Sequence, residues 1–199
     1  MLVIGLTGGI ASGKSTVGAL LEQHGAVLID ADAIVHEIQA PGGEAYGPIV
    51  ERFGEAVVAD DGSLDRQAIA AIVFSDDEAR QDLNKLTHPL VGRIMAERMA
   101  AVAGTDAVVV LDIPLLAEGG RERYGMTGVL VVDCPVESQV ARLITHRGYT
   151  EEEARGRIGA QASREDRLSI ADHVIDNGGD PDALAEAVDR AWAWIQSLP

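Results

Sequence analysis

Cysteine is almost absent: Cys134 is the only one in 199 residues, so no intrachain disulfide can form. It follows Val129-Leu130-Val131-Val132-Asp133 and reads as a small apolar filler at a strand end, not as a nucleophile. Lysine is nearly as scarce, with only Lys14 and Lys85. Sixteen basic residues against 32 acidic ones leave a formal charge of −16, which repels polyanions and argues against nucleic acid as a partner. No apolar run approaches the length of a bilayer span, and no basic leader with a cleavage site opens the chain. A cytoplasmic protein with no membrane partner is expected. At 47% hydrophobic residues the chain can bury one substantial core and carry an inserted subdomain, but not two large independent domains. The sequence is silent on oligomeric state.

Against these absences stands one dense motif. Gly8-Gly9-Ile10-Ala11-Ser12-Gly13-Lys14-Ser15, followed by Thr16, fits the phosphate-loop pattern G-x-x-x-x-G-K-[ST]. Leu2-Val3-Ile4-Gly5-Leu6 before it reads as a buried strand, and Val17, Leu20 and Leu21 after it share one helix face. In that setting the glycines let backbone wrap phosphate oxygens, and the helix N-terminus offers free N–H groups. Lys14 reaches the β- and γ-phosphates while Ser15 gives Mg²⁺ a hydroxyl. The ligand expected is a nucleoside triphosphate with Mg²⁺.

Periodicity organises the rest. Ala26-Val27-Leu28-Ile29 forms a second strand ending in Asp30-Ala31-Asp32, and residues 33–38 have helical spacing. Pro41-Gly42-Gly43 breaks the pattern and opens a mostly helical stretch with short helices at 45–53, 66–74 and 78–86. His88-Pro89 marks a helix boundary before a longer amphipathic run, 90–102. Sheet patterning resumes at Ala107 to Asp112, Gly128 to Val132 and His173 to Asp176, with helices at 136–144, 150–162 and from Pro181 onward. Strands and helices alternating about a phosphate loop specify a doubly wound parallel α/β sheet, with ligands at the C-terminal edge of the strands.

Phosphoryl transfer needs positioned phosphates, neutralised charge and a group that takes the acceptor proton. Asp32, just past the second strand, is the candidate base; Asp30 competes, and either could simply begin the next helix. Asp112 ends its strand as a Walker-B acid does, holding Mg²⁺ through water or bonding Ser15, or else it shapes the loop before Pro114. Six arginines, Arg142, Arg147, Arg155, Arg157, Arg164 and Arg167, fall within 26 positions where an even spread gives about two, and form a candidate anion clamp. Asn84-Lys85-Leu86-Thr87 lacks the acid of a guanine-reading motif. His24, His36, His146 and His173 lack metal-ligand spacing, and His88 is a minor substrate-binding candidate.

Taken in order, Ile4-Gly5-Leu6-Thr7-Gly8-Gly9-Ile10, Asp30-Ala31-Asp32, His88-Pro89, Asp112-Ile113-Pro114-Leu115-Leu116-Ala117-Glu118, Arg164-Glu165-Asp166-Arg167 and Asp176-Asn177-Gly178 resemble the dephospho-coenzyme A kinase family over essentially the whole chain. The resemblance implies a P-loop NTPase-type fold with a core at 1–40 and 104–199, a helical substrate-binding insertion at 41–103 and a lid at 146–167. It implies ATP-dependent phosphorylation of the ribose 3′-hydroxyl of dephospho-coenzyme A, with Asp32 as base. By the same resemblance Ala11, Ser12, Gly13, Lys14, Ser15 and Thr16 contact ATP, and Arg142 and Arg147 neutralise the transferring phosphate. Asn177 is expected near adenine, and Leu115, Leu116, Glu118 and Arg164 on the acceptor side. Ala117 departs from a frequent aromatic, and Ala11 from a frequent glycine. Two alternatives remain at this stage: another small-molecule P-loop kinase, for a nucleoside monophosphate or a metabolic hydroxyl, and a nucleotide-responsive binding protein without an acceptor.

Overall fold

A computed structural model describes residues 1–120 and 124–199. Five parallel strands, β1 (Leu2–Gly8), β2 (Val27–Asp30), β3 (Val108–Asp112), β4 (Gly128–Asp133) and β5 (His173–Asp176), form one sheet in the order β2-β3-β1-β4-β5. Because β1 lies between β3 and β4, the strand order switches sides at its C-terminal end, where α/β sheets open a crevice. The phosphate motif leaves the sheet at that point. The doubly wound expectation is met.

The strands are apolar on both faces because helices cover both. Ile4 and Leu6 of β1, Val108 and Val110 of β3, and Leu130 and Val132 of β4 pack with Val17 and Leu21 of α1 (Lys14–Gln23) and with Leu184, Val188 and Ile195 of α10 (Pro181–Gln196). The alternate residues Val129 and Val131 turn to the opposite face, where Leu116, Met126 and Leu168 meet them. Alternation of two apolar sets along one strand is what a sheet buried on both sides requires. The start of α10 follows from its sequence, since Asp180 caps it by accepting from the Ala183 amide and Pro181 occupies its first turn.

Between β3 and β4 the chain forms the short α6 (Leu116–Gly119). After β4 come α7 (Val136–Arg147), α8 (Glu151–Gly159) and α9 (Arg164–Ser169). The charged helical arm expected at 150–162 is α8, and α9 follows as a separate helix; each is opened by its own capping box, Thr150 with Glu153 and Ser163 with Asp166.

Contacts divide the chain into two compact units, residues 1–30 with 102–199, and residues 31–101. The second unit contains α2 (Ala31–Gln39), α3 (Tyr46–Phe53), a 3₁₀ turn (Glu55–Val57), α4 (Arg66–Ser75) and α5 (Asp77–Ala100). Its α2 and α4 pack against α5, which draws residues 31–40 into this unit although the sequence breaks only at Pro41. An isolated bridge between Val58 and Leu64 closes the turn at Asp60 to Ser63. Here one expectation fails. His88-Pro89 does not end a helix, for α5 runs 24 residues straight through it. Asp76 caps its start and tertiary packing along its length outweighs the backbone bond that Pro89 cannot make.

Candidate active site

The loop after β1 is built from unusual backbone. Gly13 is left-handed at φ 94°, and Ala11 at φ 58° is the one non-glycine with positive φ among the described residues. Ser12 donates its amide to the Gly9 carbonyl at 3.0 Å, folding the loop back on itself. No side chain caps the head of α1, so its first amides stay directed at whatever anion the loop holds. Glycine is obligatory at Gly8, where a Cβ would fall 2.7 Å from the Val132 carbonyl oxygen. The Ser12 hydroxyl is buried and has no hydrogen-bond partner among the described residues.

Left-handed alanine costs about 1–2 kcal/mol, partly offset because glycine loses more chain entropy on folding. Ala11→Gly is therefore expected to raise stability by about 0.5 kcal/mol, read as a higher denaturant midpoint at unchanged slope. A lower midpoint would mean that the methyl's packing against Val140 and Leu143 of α7 outweighs the backbone strain.

Four side chains from distant sequence fix the loop. Arg142 Nη1 donates to the carbonyls of Ala11 and Ser12, each at 3.2 Å, and its Nη2 donates to the Asn177 carbonyl at 2.8 Å. Asn177 Nδ2 donates to the Ser12 carbonyl at 2.6 Å and lies so near Gly13 that a Cβ there would meet it. Gln139 Nε2 donates to the Ile10 carbonyl at 2.7 Å, while the Ile10 amide donates to Gln161 Oε1 at 2.8 Å. The carbonyls of Ile10, Ala11 and Ser12, which would repel phosphate, are thereby held by donors, and the Ile10 and Ser12 amides are paired within the protein. Arg167, 7% exposed, donates to the Ala162 carbonyl and sits beside Gly9.

Lys14 and Asp112 form an ion pair at the sheet edge, with Asp112 only 2% exposed. Asp30 is the register partner of Asp112, so two carboxylates end adjacent strands. Ser15 and Thr16 are exposed in the first turn of α1. Asp32 is exposed in the first turn of α2, two residues beyond β2. Burial pushes the Cys134 thiol up, against the opposing pull of the Arg142 guanidinium, so it stays a neutral filler.

Several expected site residues hold protein groups in this structure. Asn177 braces Ser12 and Gly13, and Arg142 grips loop carbonyls. Arg164 chelates both oxygens of Asp133 at 2.5 to 3.1 Å, which raises its pKa further. Glu118 accepts the Ala162 amide at 2.9 Å. Leu116 is core, whereas Leu115 is exposed. His88 is exposed in the middle of α5. The six-arginine cluster does not converge as one clamp. Arg155 is committed to Glu137 and Glu151, and Arg157 stacks on Tyr149 with 4.6 Å to the ring centre. Arg147 is exposed at the C-terminal end of α7. The sequence reading missed Gln139 and Gln161. A polar Gln139 beside Val140 and Leu143 on the buried face of α7 was the available signal; Gln161 carries none.

A loop, helix and ion pair of this kind occur in many nucleotide enzymes, and comparison with known proteins narrows the choice. The family model described as CoaE, dephospho-CoA kinase, matches residues 2–182. The chain belongs to the dephospho-CoA kinase family. A curated dephospho-CoA kinase from Streptomyces avermitilis is 50% identical over 97% of this chain and 93% of the relative. A crystal structure from Thermus thermophilus superposes with a TM-score of 0.81 at 37% identity, covering 97% of each chain. A solved dephospho-CoA kinase from Campylobacter jejuni gives a TM-score of 0.65 at 25% identity, over 97% of this chain and 96% of that one. The resemblance carried by the motifs is borne out, and with it the P-loop kinase fold. Dephospho-CoA kinases are ATP-dependent enzymes that close coenzyme A synthesis.

Proposed function

We propose that this chain transfers the γ-phosphoryl group of ATP to the ribose 3′-hydroxyl of dephospho-coenzyme A, giving coenzyme A and ADP. The observation that carries this reading is a phosphate loop whose carbonyls are tied back by Arg142, Asn177 and Gln139, in a chain whose family is defined by that reaction. The amides of the loop and the uncapped head of α1 bind the phosphates. Lys14 exchanges Asp112 for phosphate oxygens and spreads the charge that develops as the bond to the γ-phosphorus breaks. Arg147 adds charge from the end of α7, while Arg142 acts as a positioning residue through the loop. Asp32 accepts the proton of the 3′-hydroxyl as its oxygen attacks phosphorus in line, and ADP departs.

The donor set fits a magnesium ion that arrives with the nucleotide. Ser15 supplies a hydroxyl and Asp112 a carboxylate, oxygen ligands of the hard type that magnesium prefers. Among the described residues no cluster of three or more His, Cys, Asp or Glu is present, and the nucleotide's phosphate oxygens and water would supply the further ligands. The chemistry so supplied is neutralisation of β,γ-phosphate charge.

A coupled ADP assay with ATP and Mg²⁺ tests the reading across dephospho-coenzyme A, nucleoside monophosphates and shikimate. ADP formation is expected to require dephospho-coenzyme A. Equal release without an acceptor, or faster turnover with a monophosphate, contradicts the assignment.

A further inference from the structure

The unit spanning residues 31–101 carries six basic side chains, and five of them face carboxylates. Arg52 and Lys85 share Asp82, Arg80 pairs with Asp77, Arg93 with Glu44 and Glu97, and Arg98 with Glu37. Arg66 is different. Its Nη1 donates to Nε2 of His36 at 2.6 Å, and no carboxylate among the described residues pairs with it. Since guanidinium only donates, the imidazole must present a lone pair there, and the arginine's positive charge has no carboxylate in contact among the described residues.

Both residues line a cavity of about 440 Å³ within this unit, together with Ser63, Gln39 and Gln67. That volume is ample for a small polar group, and the wall offers a guanidinium fork and side-chain amides, the Ser63 hydroxyl being donated to Asp61 at 2.6 Å. Asp65 also lines it, but its Oδ1 accepts the amides of Gln67 and Ala68 to cap α4. The head of α4 therefore has little left for a ligand, and binding falls to the side chains.

We infer that this cavity is an anion subsite, with Arg66 as its principal donor, for the diphosphate that links adenosine to the pantetheine arm of the acceptor. The inference rests on dephospho-coenzyme A being that acceptor. A phosphate oxygen displaces His36 from the guanidinium, exchanging a neutral acceptor for a charged one, and the side-chain amides of Gln39 and Gln67 donate to the remaining oxygens.

Calorimetry on the full chain, with the phosphate loop filled by a non-hydrolysable ATP analogue, tests it. Arg66→Gln is expected to weaken dephospho-coenzyme A by about 10- to 100-fold while leaving pantetheine, which lacks the diphosphate, unchanged. Arg66→Lys, which keeps the charge without the fork, is expected to fall between. Inorganic pyrophosphate should bind the wild type and not the glutamine variant. Equal weakening of pantetheine and dephospho-coenzyme A, or affinity for the latter within about twofold of wild type, overturns the subsite. Pyrophosphate separates the two readings: Arg66-dependent binding in a chain that fails to phosphorylate dephospho-coenzyme A would retain the anion subsite and reject the acceptor.

Discussion

Replacing Asp32 with asparagine is expected to lower kcat by about 10²- to 10⁴-fold, the contribution of a positioned general base. The change is nearly isosteric, so KM for ATP should stay within about twofold of wild type. Asp32 also lies in the first turn of α2, where a carboxylate meets the positive end of the helix dipole, an effect worth about 0.3–1 kcal/mol. The two roles leave different marks. A purely helical role lowers the melting temperature slightly and leaves turnover alone, whereas a base leaves stability almost intact and removes turnover. Steady-state kinetics and a thermal melt on one preparation decide between them, and a kcat within about threefold of wild type would remove Asp32 from the chemistry. Asp30→Asn is the paired control, because Asp30 ends β2 as the register partner of Asp112.

Lys14→Met should show losses in two properties at once. Removing a donor aimed at developing charge costs about 10²- to 10³-fold in kcat. Losing one member of this part-buried ion pair costs about 3 kcal/mol, since a carboxylate only 2% exposed loses its lysine. Combining Lys14→Met with Asp112→Asn separates these effects: stability should recover in large part, and activity should not. Chemical denaturation of the two single variants and the double variant closes the cycle. If the double variant is as unstable as the sum of the singles, the pair contributes nothing by mutual attraction and the buried-pair account is wrong.

The sheet was legible because each strand is a short apolar run bounded by turns, and burial on both faces demands that pattern. The phosphate loop was legible because its glycines answer backbone needs visible in the sequence, Gly8 crowded by Val132 and Gly13 left-handed. What holds the loop was not. Gln139 and Gln161 reach Ile10 across 129 and 151 positions, and a hydrogen bond between such distant residues has no periodicity to betray it. The arginine cluster misled for a related reason. Density along the chain suggested convergence on one anion, but Asp133, Glu137 and Glu151 lie nearer to Arg164 and Arg155 than any shared focus. Pro89 misled in the opposite sense, as local preference argued for a break that packing along α5 overrides. Arg66 drew no attention in the sequence, because its distinction is a histidine partner where its neighbours have carboxylates.

The central claim is that the γ-phosphoryl group is delivered to a ribose 3′-hydroxyl. Phosphorus NMR of the product made from ATP and dephospho-coenzyme A measures this directly. The account predicts one new monoester resonance, coupled to the ribose H3′ proton, growing in step with ADP. A monoester coupled elsewhere, or inorganic phosphate alone, would contradict it.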